Sequence, residues 1–110
     1  MPKKTKVCFV CYHGVGASNM TQHSFYETVK RRGLYSSFHV RGTGVEGKTD
    51  EKLADELGSY HFVIPVLPKV RKRVRDVLKG KGTKVIEWES PAYLDKEANE
   101  RLLDRILEQA

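Results

Sequence analysis

Two cysteines stand three residues apart, Cys8 and Cys11, and the second opens a glycine-bearing segment that ends at Ser18. A C-x-x-C pair invites a redox or a zinc reading. Residues 7–10 form a short apolar run that reads as a buried strand, with Cys8 inside it and Cys11 at its end. Side chains three apart on a strand point to opposite faces, so the two thiols diverge. No second ligand pair has zinc spacing, and His23, His39 and His61 are scattered. Neither a metal nor a cofactor is expected. Cys8 reads as a small buried apolar residue.

Cys11 reads differently. The segment Cys11, Tyr12, His13, Gly14, Val15, Gly16, Ala17, Ser18 joins a strand to a helix. Two glycines let the backbone curl so that successive N–H groups point inward. The helix N-terminus adds free N–H groups and a partial positive charge. Together they form a cradle for phosphate or another oxyanion, and they favour the thiolate form of a cysteine held there. Ser18 is placed either to hydrogen-bond Cys11 or to cap the helix, and His13 either to add charge or to face solvent. The same pattern also fits an ordinary glycine turn with a core cysteine beside it.

The elements that position this loop follow from periodicity. A helix is expected from about residue 19, burying Phe25 and Val29, with Arg31, Arg32 and Gly33 as its stop signal and Leu34 closing the cap. Residues 37–41 alternate as a half-buried strand, and the Gly42, Thr43, Gly44 run is expected to break it. Thr49 can cap a short helix carrying Leu53, Ala54 and Leu57. Residues 61–66 read as a strand, and Pro68 suits the first turn of a third helix burying Val70, Val74, Val77 and Leu78. Residues 84–88 form a fourth strand. A last helix shows Ala98, Leu102, Leu103, Ile106 and Leu107. Strands alternating with helices imply a parallel sheet covered on both faces. In such folds ligands bind beyond the carboxyl ends of the strands, where the loop after the first strand lies.

Length and composition set the bounds. The 110 residues suit one domain, residues 1–110. With 39% hydrophobic and 31% charged residues, the composition is that of a globular chain. No apolar run approaches the roughly 20 residues that span a bilayer, and no signal peptide is read, so the expectation is a cytoplasmic protein without a membrane partner. The net charge of +6 favours acidic or phosphorylated partners. The excess gathers at Lys69, Arg71, Lys72, Arg73, Arg75, Lys79, Lys81 and Lys84, with Asp76 opposing them. This basic helix, residues 69–84, reads as the solvated face of an amphipathic helix or as a docking surface for an acidic protein. The absence of aromatic interleaving and of any nucleic-acid motif argues against DNA or RNA. Trp88 and Tyr93 either line the cleft or pack the last helix.

The stretch Val7, Cys8, Phe9, Val10, Cys11, then Ser18, Met20 and Phe25, resembles the low-molecular-weight protein tyrosine phosphatases. So do Arg32, Gly33, Leu34, Phe38, Val40 and the Gly42, Thr43, Gly44 run. The similarity covers about the first 45 residues. The resemblance implies a three-layer α/β sandwich with a four-stranded parallel sheet of order 2-1-3-4, phosphatase I-like or flavodoxin-like. It implies Cys11 as the nucleophile, Ser18 as the serine supporting its thiolate, and residues 12–18 as the phosphate loop. Two departures matter. Ala17 stands where the family has the arginine that clamps phosphate and stabilises the transition state. Ser90, in the Ser90, Pro91, Ala92, Tyr93 run, stands where the general-acid aspartate would be. The expectation is a phosphate-binding, phosphatase-like protein that is weak or inactive as a hydrolase, with phosphate or a phosphorylated protein or small molecule as partner.

The chain also resembles the IIB components of sugar phosphotransferase systems. Their cysteine loop has the form C-x2-G-x3-S, which Cys11, Gly14 and Ser18 match, and it lacks the arginine. That resemblance implies a phosphocysteine carrier. A third expectation is a non-catalytic binding module acting through the basic helix.

Overall fold

The computed structural model describes residues 4–14, 16–88 and 94–109. Four strands alternate with four helices: β1 (Thr5–Cys11), α1 (Ala17–Arg31), β2 (Phe38–Gly44), α2 (Asp50–Gly58), β3 (Phe62–Pro65), α3 (Pro68–Val77), β4 (Lys84–Val85) and α4 (Lys96–Gln109). The sheet has order β2-β1-β3-β4 and every pairing is parallel. This is the α/β sandwich expected from the sequence.

The two central strands read as unbroken apolar runs because both of their faces are covered. From β1, Val7, Phe9 and Cys11 enter a core shared with Phe25 and Val29 of α1 and Leu102, Leu103 and Ile106 of α4. Cys8 and Val10 enter the opposite core, with Leu53 and Leu57 of α2 and Val70 and Val74 of α3. The two thiols therefore lie on opposite sides of the sheet, and neither is in a disulfide.

Helix ends follow local chemistry. Gly33, at φ 70°, closes α1: its N–H donates to the Lys30 carbonyl and the Leu34 N–H to the Val29 carbonyl, both at 3.0 Å. Leu34 then packs on the core, which completes a Schellman cap. Thr49 caps α2 by accepting from the Lys52 N–H at 3.2 Å, and Pro68 opens α3. Asn99 of α4 is buried and donates to Ser24 Oγ of α1 at 2.7 Å, tying the two helices on that face.

Several boundaries differ from the expectations. α1 starts at Ala17, two residues earlier than its apolar period indicates, because Gly16 turns the chain directly into the helix. The Gly42, Thr43, Gly44 run does not break β2. The strand continues through it, with Gly42 opposite Phe9 and Gly44 opposite Cys11. Glycine is needed there for space. A Cβ at Gly44 would stand 2.2 Å from the Gly14 nitrogen, backbone that cannot turn aside; at Gly42 it would stand 2.8 Å from Gln22 Oε1, the end of a flexible side chain, and 3.3 Å from the Ser18 carbonyl oxygen, so β2 packs close to α1. β4 is assigned two residues, yet the Ile86 and Trp88 N–H groups still donate to β3 carbonyls, Val63 at 3.0 Å and Pro65 at 3.3 Å. Val77 is half-buried and Leu107 exposed, whereas the remaining expected core positions of α3 and α4 are buried.

Candidate anion-binding loop at Cys11

β1 delivers Cys11 to the carboxyl edge of the sheet, beside the first turn of α1. The thiol is 2% exposed and Ser18 is fully buried. Cys11 Sγ lies 3.0 Å from Ser18 Oγ and accepts from the Gly14 N–H at 3.1 Å. Ser18 therefore serves the sulfur and not the helix cap. α1 has no side-chain cap. When the sulfur carries a proton it donates to Ser18; when it does not, the hydroxyl donates to it. The Ser18 hydroxyl and the Gly14 N–H thus fix the sulfur beside the first turn of α1.

Gly14 and Gly16 adopt φ values of 84° and 80°, a region that costs glycine little and side-chain-bearing residues more. Gly14 turns its N–H back to the sulfur, and Gly16 turns the chain into α1. Ala17 is half-buried against the α1–α4 core, and its carbonyl accepts from Thr21 Oγ1 at 2.9 Å. Val15, Ser90 and Tyr93 lie outside the described residues. The alignment of Ser90 with a general acid is thus a matter of sequence alone.

The rim of the loop is made by residues distant in sequence. His13 Nδ1 pairs with Glu46 Oε2 across exposed side chains. Tyr12 and His13 stack edge to face with ring centroids 4.8 Å apart, and Lys69 Nζ sits 4.7 Å from the centre of the Tyr12 ring. Glu46 and the Tyr12–Lys69 contact were not legible in the sequence. Separations of 33 and 57 residues carry no local signal. Beneath the rim, the Val45 N–H reaches the Cys11 and Tyr12 carbonyls, and the Glu46 N–H the Tyr12 carbonyl, at 2.9–3.2 Å.

The basic helix is less a single patch than its sequence indicates. Arg73 faces inward: its guanidinium donates to the Val45 and Lys48 carbonyls at 3.2 and 2.5 Å and to Asp50 at 3.0 Å. It therefore pins the segment after β2, on which the cysteine loop rests. Lys72 pairs with Asp76 within α3, and Arg75 with Glu87. Trp88 is buried in the core with α4.

The two cysteines differ in their surroundings. Burial pushes the Cys8 thiol up to about 12, and Glu56 adds to the shift. Among the described residues, no group of three His, Cys, Asp or Glu side chains is arranged to hold a metal ion, and no helix is long and apolar enough to cross a membrane.

No protein-family model matches the sequence, and no curated protein matches it significantly. Solved structures do share its fold. YfkJ from Bacillus subtilis superposes with a TM-score of 0.78 at 15% identity, over 97% of each chain. A protein tyrosine phosphatase from Entamoeba histolytica, with Hepes in its active site, gives 0.74 at 11% identity, over 96% of this chain and 99% of that one. The lactose-specific IIB domain of the phosphotransferase system from Streptococcus pneumoniae gives 0.71 at 16% identity, over 96% and 97%. The fold is thus one that a tyrosine phosphatase and a sugar-system IIB domain both use, as the two sequence resemblances imply. At these identities the likeness is one of fold, and a fold hosts more than one chemistry.

Proposed function

We propose that this protein binds phosphate, or a phosphorylated protein or small molecule, at residues 11–18, with Cys11 as its reactive group and Ser18 as its support. In this reading it is phosphatase-like in architecture and weak or inactive as a hydrolase. The observation that carries the reading is the sulfur of Cys11, held by Ser18 Oγ at 3.0 Å and the Gly14 N–H at 3.1 Å at the start of α1, with Ala17 in the arginine position. The loop can attract an oxyanion through backbone N–H groups. It has no guanidinium to grip the three equatorial oxygens during transfer.

One observation favours a second reading, that of a phosphocysteine carrier. The loop lacks the arginine, and the lactose-specific IIB domain shares the fold over nearly the whole chain. A carrier need only accept and release a phosphoryl group. The thiolate attacks phosphorus, the bond to the donor nitrogen breaks, and the nitrogen leaves with a proton.

The two readings separate in one experiment. Aryl-phosphate hydrolysis and Cys11 phosphorylation by phosphoramidate are followed side by side by phosphorus NMR, with Cys11→Ser as control. A stable phosphocysteine, absent in the variant, supports the carrier. Phosphate binding without accumulation of phosphocysteine supports the degenerate phosphatase. Neither binding nor phosphorylation at Cys11 refutes both.

A further inference from the structure

One edge of the sheet is β4, the strand farthest from β2. Among the described residues, β4 has a partner strand on one side only, β3. The N–H groups of Lys84, Ile86 and Trp88 donate to the carbonyls of His61, Val63 and Pro65. Backbone groups of alternate residues in an extended strand turn opposite ways, so those of Val85 and Glu87 face away from β3. A row of outward N–H and C=O groups is a template for another strand.

This edge forms the floor of a groove of ≈ 530 Å³, walled by Arg71 and Arg75 of α3 on one side and Arg105 of α4 on the other. Among the described residues, three arginines thus face one acidic side chain, Glu87, which Arg75 pairs. Arg105 has no ion pair among the described residues. Arg71 gives Nη2 to the Trp88 carbonyl at 3.1 Å, while its buried Nε has no partner among the described residues. The indole N–H of Trp88, on the same groove, is buried and also without a partner among the described residues. Among the described residues the groove therefore holds an excess of positive charge and two buried donors without partners, Arg71 Nε and Trp88 Nε1, beside a Glu87 oxygen, Oε1, that meets Arg75 as an ion pair and accepts no hydrogen bond.

We propose that it takes an acidic, extended segment of a partner protein, added along β4 as a fifth strand. The segment's backbone would pair with Val85 and Glu87, and its alternate carboxylates would meet the arginines of the two walls. A single-stranded nucleic acid fits less well, because the groove's aromatic residue is buried and offers no stacking face.

The test titrates the full chain with a capped hexapeptide of alternating Glu and Val, reading backbone amide shifts. The expected result is shifts at Val85 and Glu87, no binding of the Lys-for-Glu peptide, and loss of binding when alternate peptide amides are N-methylated. Arg105 is exposed, so Arg105→Glu should fold normally, as a thermal melt will show. It should weaken the peptide by about fivefold or more. Absence of binding, shifts confined to residues 11–18, equal binding of the N-methylated peptide, or binding of an oligonucleotide but not the peptide would each overturn strand addition. So would undiminished affinity in Arg105→Glu.

Discussion

Gly44, the last residue of β2, lies directly against Gly14 in the cysteine loop: a Cβ on Gly44 would stand 2.2 Å from the Gly14 nitrogen and 2.4 Å from the His13 carbonyl carbon. The contact is backbone to backbone, so neither side can yield by a change of rotamer. Gly14 has the reciprocal constraint, since its own Cβ would stand 2.8 Å from the Gly44 nitrogen and its φ is 84°.

Gly44→Ala should therefore destabilise the protein by about 1–3 kcal/mol or more, as overpacking does. It should also shift the amides of residues 11–14. Gly82→Ala is the control, because it meets nothing within 4 Å and has no positive φ. Its effect should stay within about 0.5 kcal/mol, or stabilise slightly. Urea unfolding of the two variants decides the matter. Equal stabilities would mean that the loop does not rest on β2.

The second expectation concerns the anion. Titration with inorganic phosphate should move the amides of Gly14, Gly16, Ala17 and Ser18, with weak affinity, because the loop offers backbone donors without a guanidinium. An unmoved loop at about tens of millimolar phosphate would remove the basis of both readings of the site.

Thiol reactivity separates the two cysteines. The Cys8 thiol, raised to about 12 by burial and Glu56, stays protonated across the neutral range. Limited alkylation with iodoacetamide near neutral pH should label Cys11 first, and Ser18→Ala should change the rate at Cys11 but not at Cys8. Initial labelling of Cys8 would contradict the placement of both side chains.

The same shift has a stability consequence. Cys8 is an acid whose folded value lies above its ordinary value of 9.0. Between 9.0 and about 12 the folded state binds more protons than the unfolded chain, so stability is full below pH 9 and declines as pH rises toward 12. Cys8→Ala should flatten that alkaline decline, measured as denaturation midpoint against pH. An unchanged slope would assign the decline to other groups.

Catalysis gives the sharpest test. On the proposed reading, in which Ala17 and Ser90 take the positions of the clamping arginine and the general acid, the rate should be lower by on the order of 10³-fold or more for the first and by roughly 10²–10⁴-fold again for the second, on leaving groups that need a proton. Phosphotyrosine hydrolysis by the natural sequence should be negligible, with at most a trace on an activated aryl phosphate. Ala17→Arg, alone or with Ser90→Asp, should restore some turnover. Robust phosphotyrosine hydrolysis by the unmodified protein would show that another cation, such as His13 or a base of residues 69–84, replaces the arginine.

The sequence by itself determined the element order, the two-faced burial of β1, the cap at Gly33 and the position of the cysteine loop. Each of these rests on interactions within a few residues or on a period of two or 3.6, which the order of side chains records directly. The tertiary structure decided the rest. It assigned Ser18 to the sulfur and not to the helix cap, carried β2 through Gly44, and brought Glu46 to His13 and Lys69 to Tyr12. It turned Arg73 inward while leaving Arg71, Arg75 and Arg105 around one sheet edge. Apart from the Cys11–Ser18 pair, seven residues apart, these are meetings between elements tens of residues apart, fixed by strand order and by how closely two backbones pack. The glycines show the difference best. In the sequence Gly42 and Gly44 look like a break in a strand; the strand continues through both, and at Gly44 the backbone of the loop lies where a side chain would have to go.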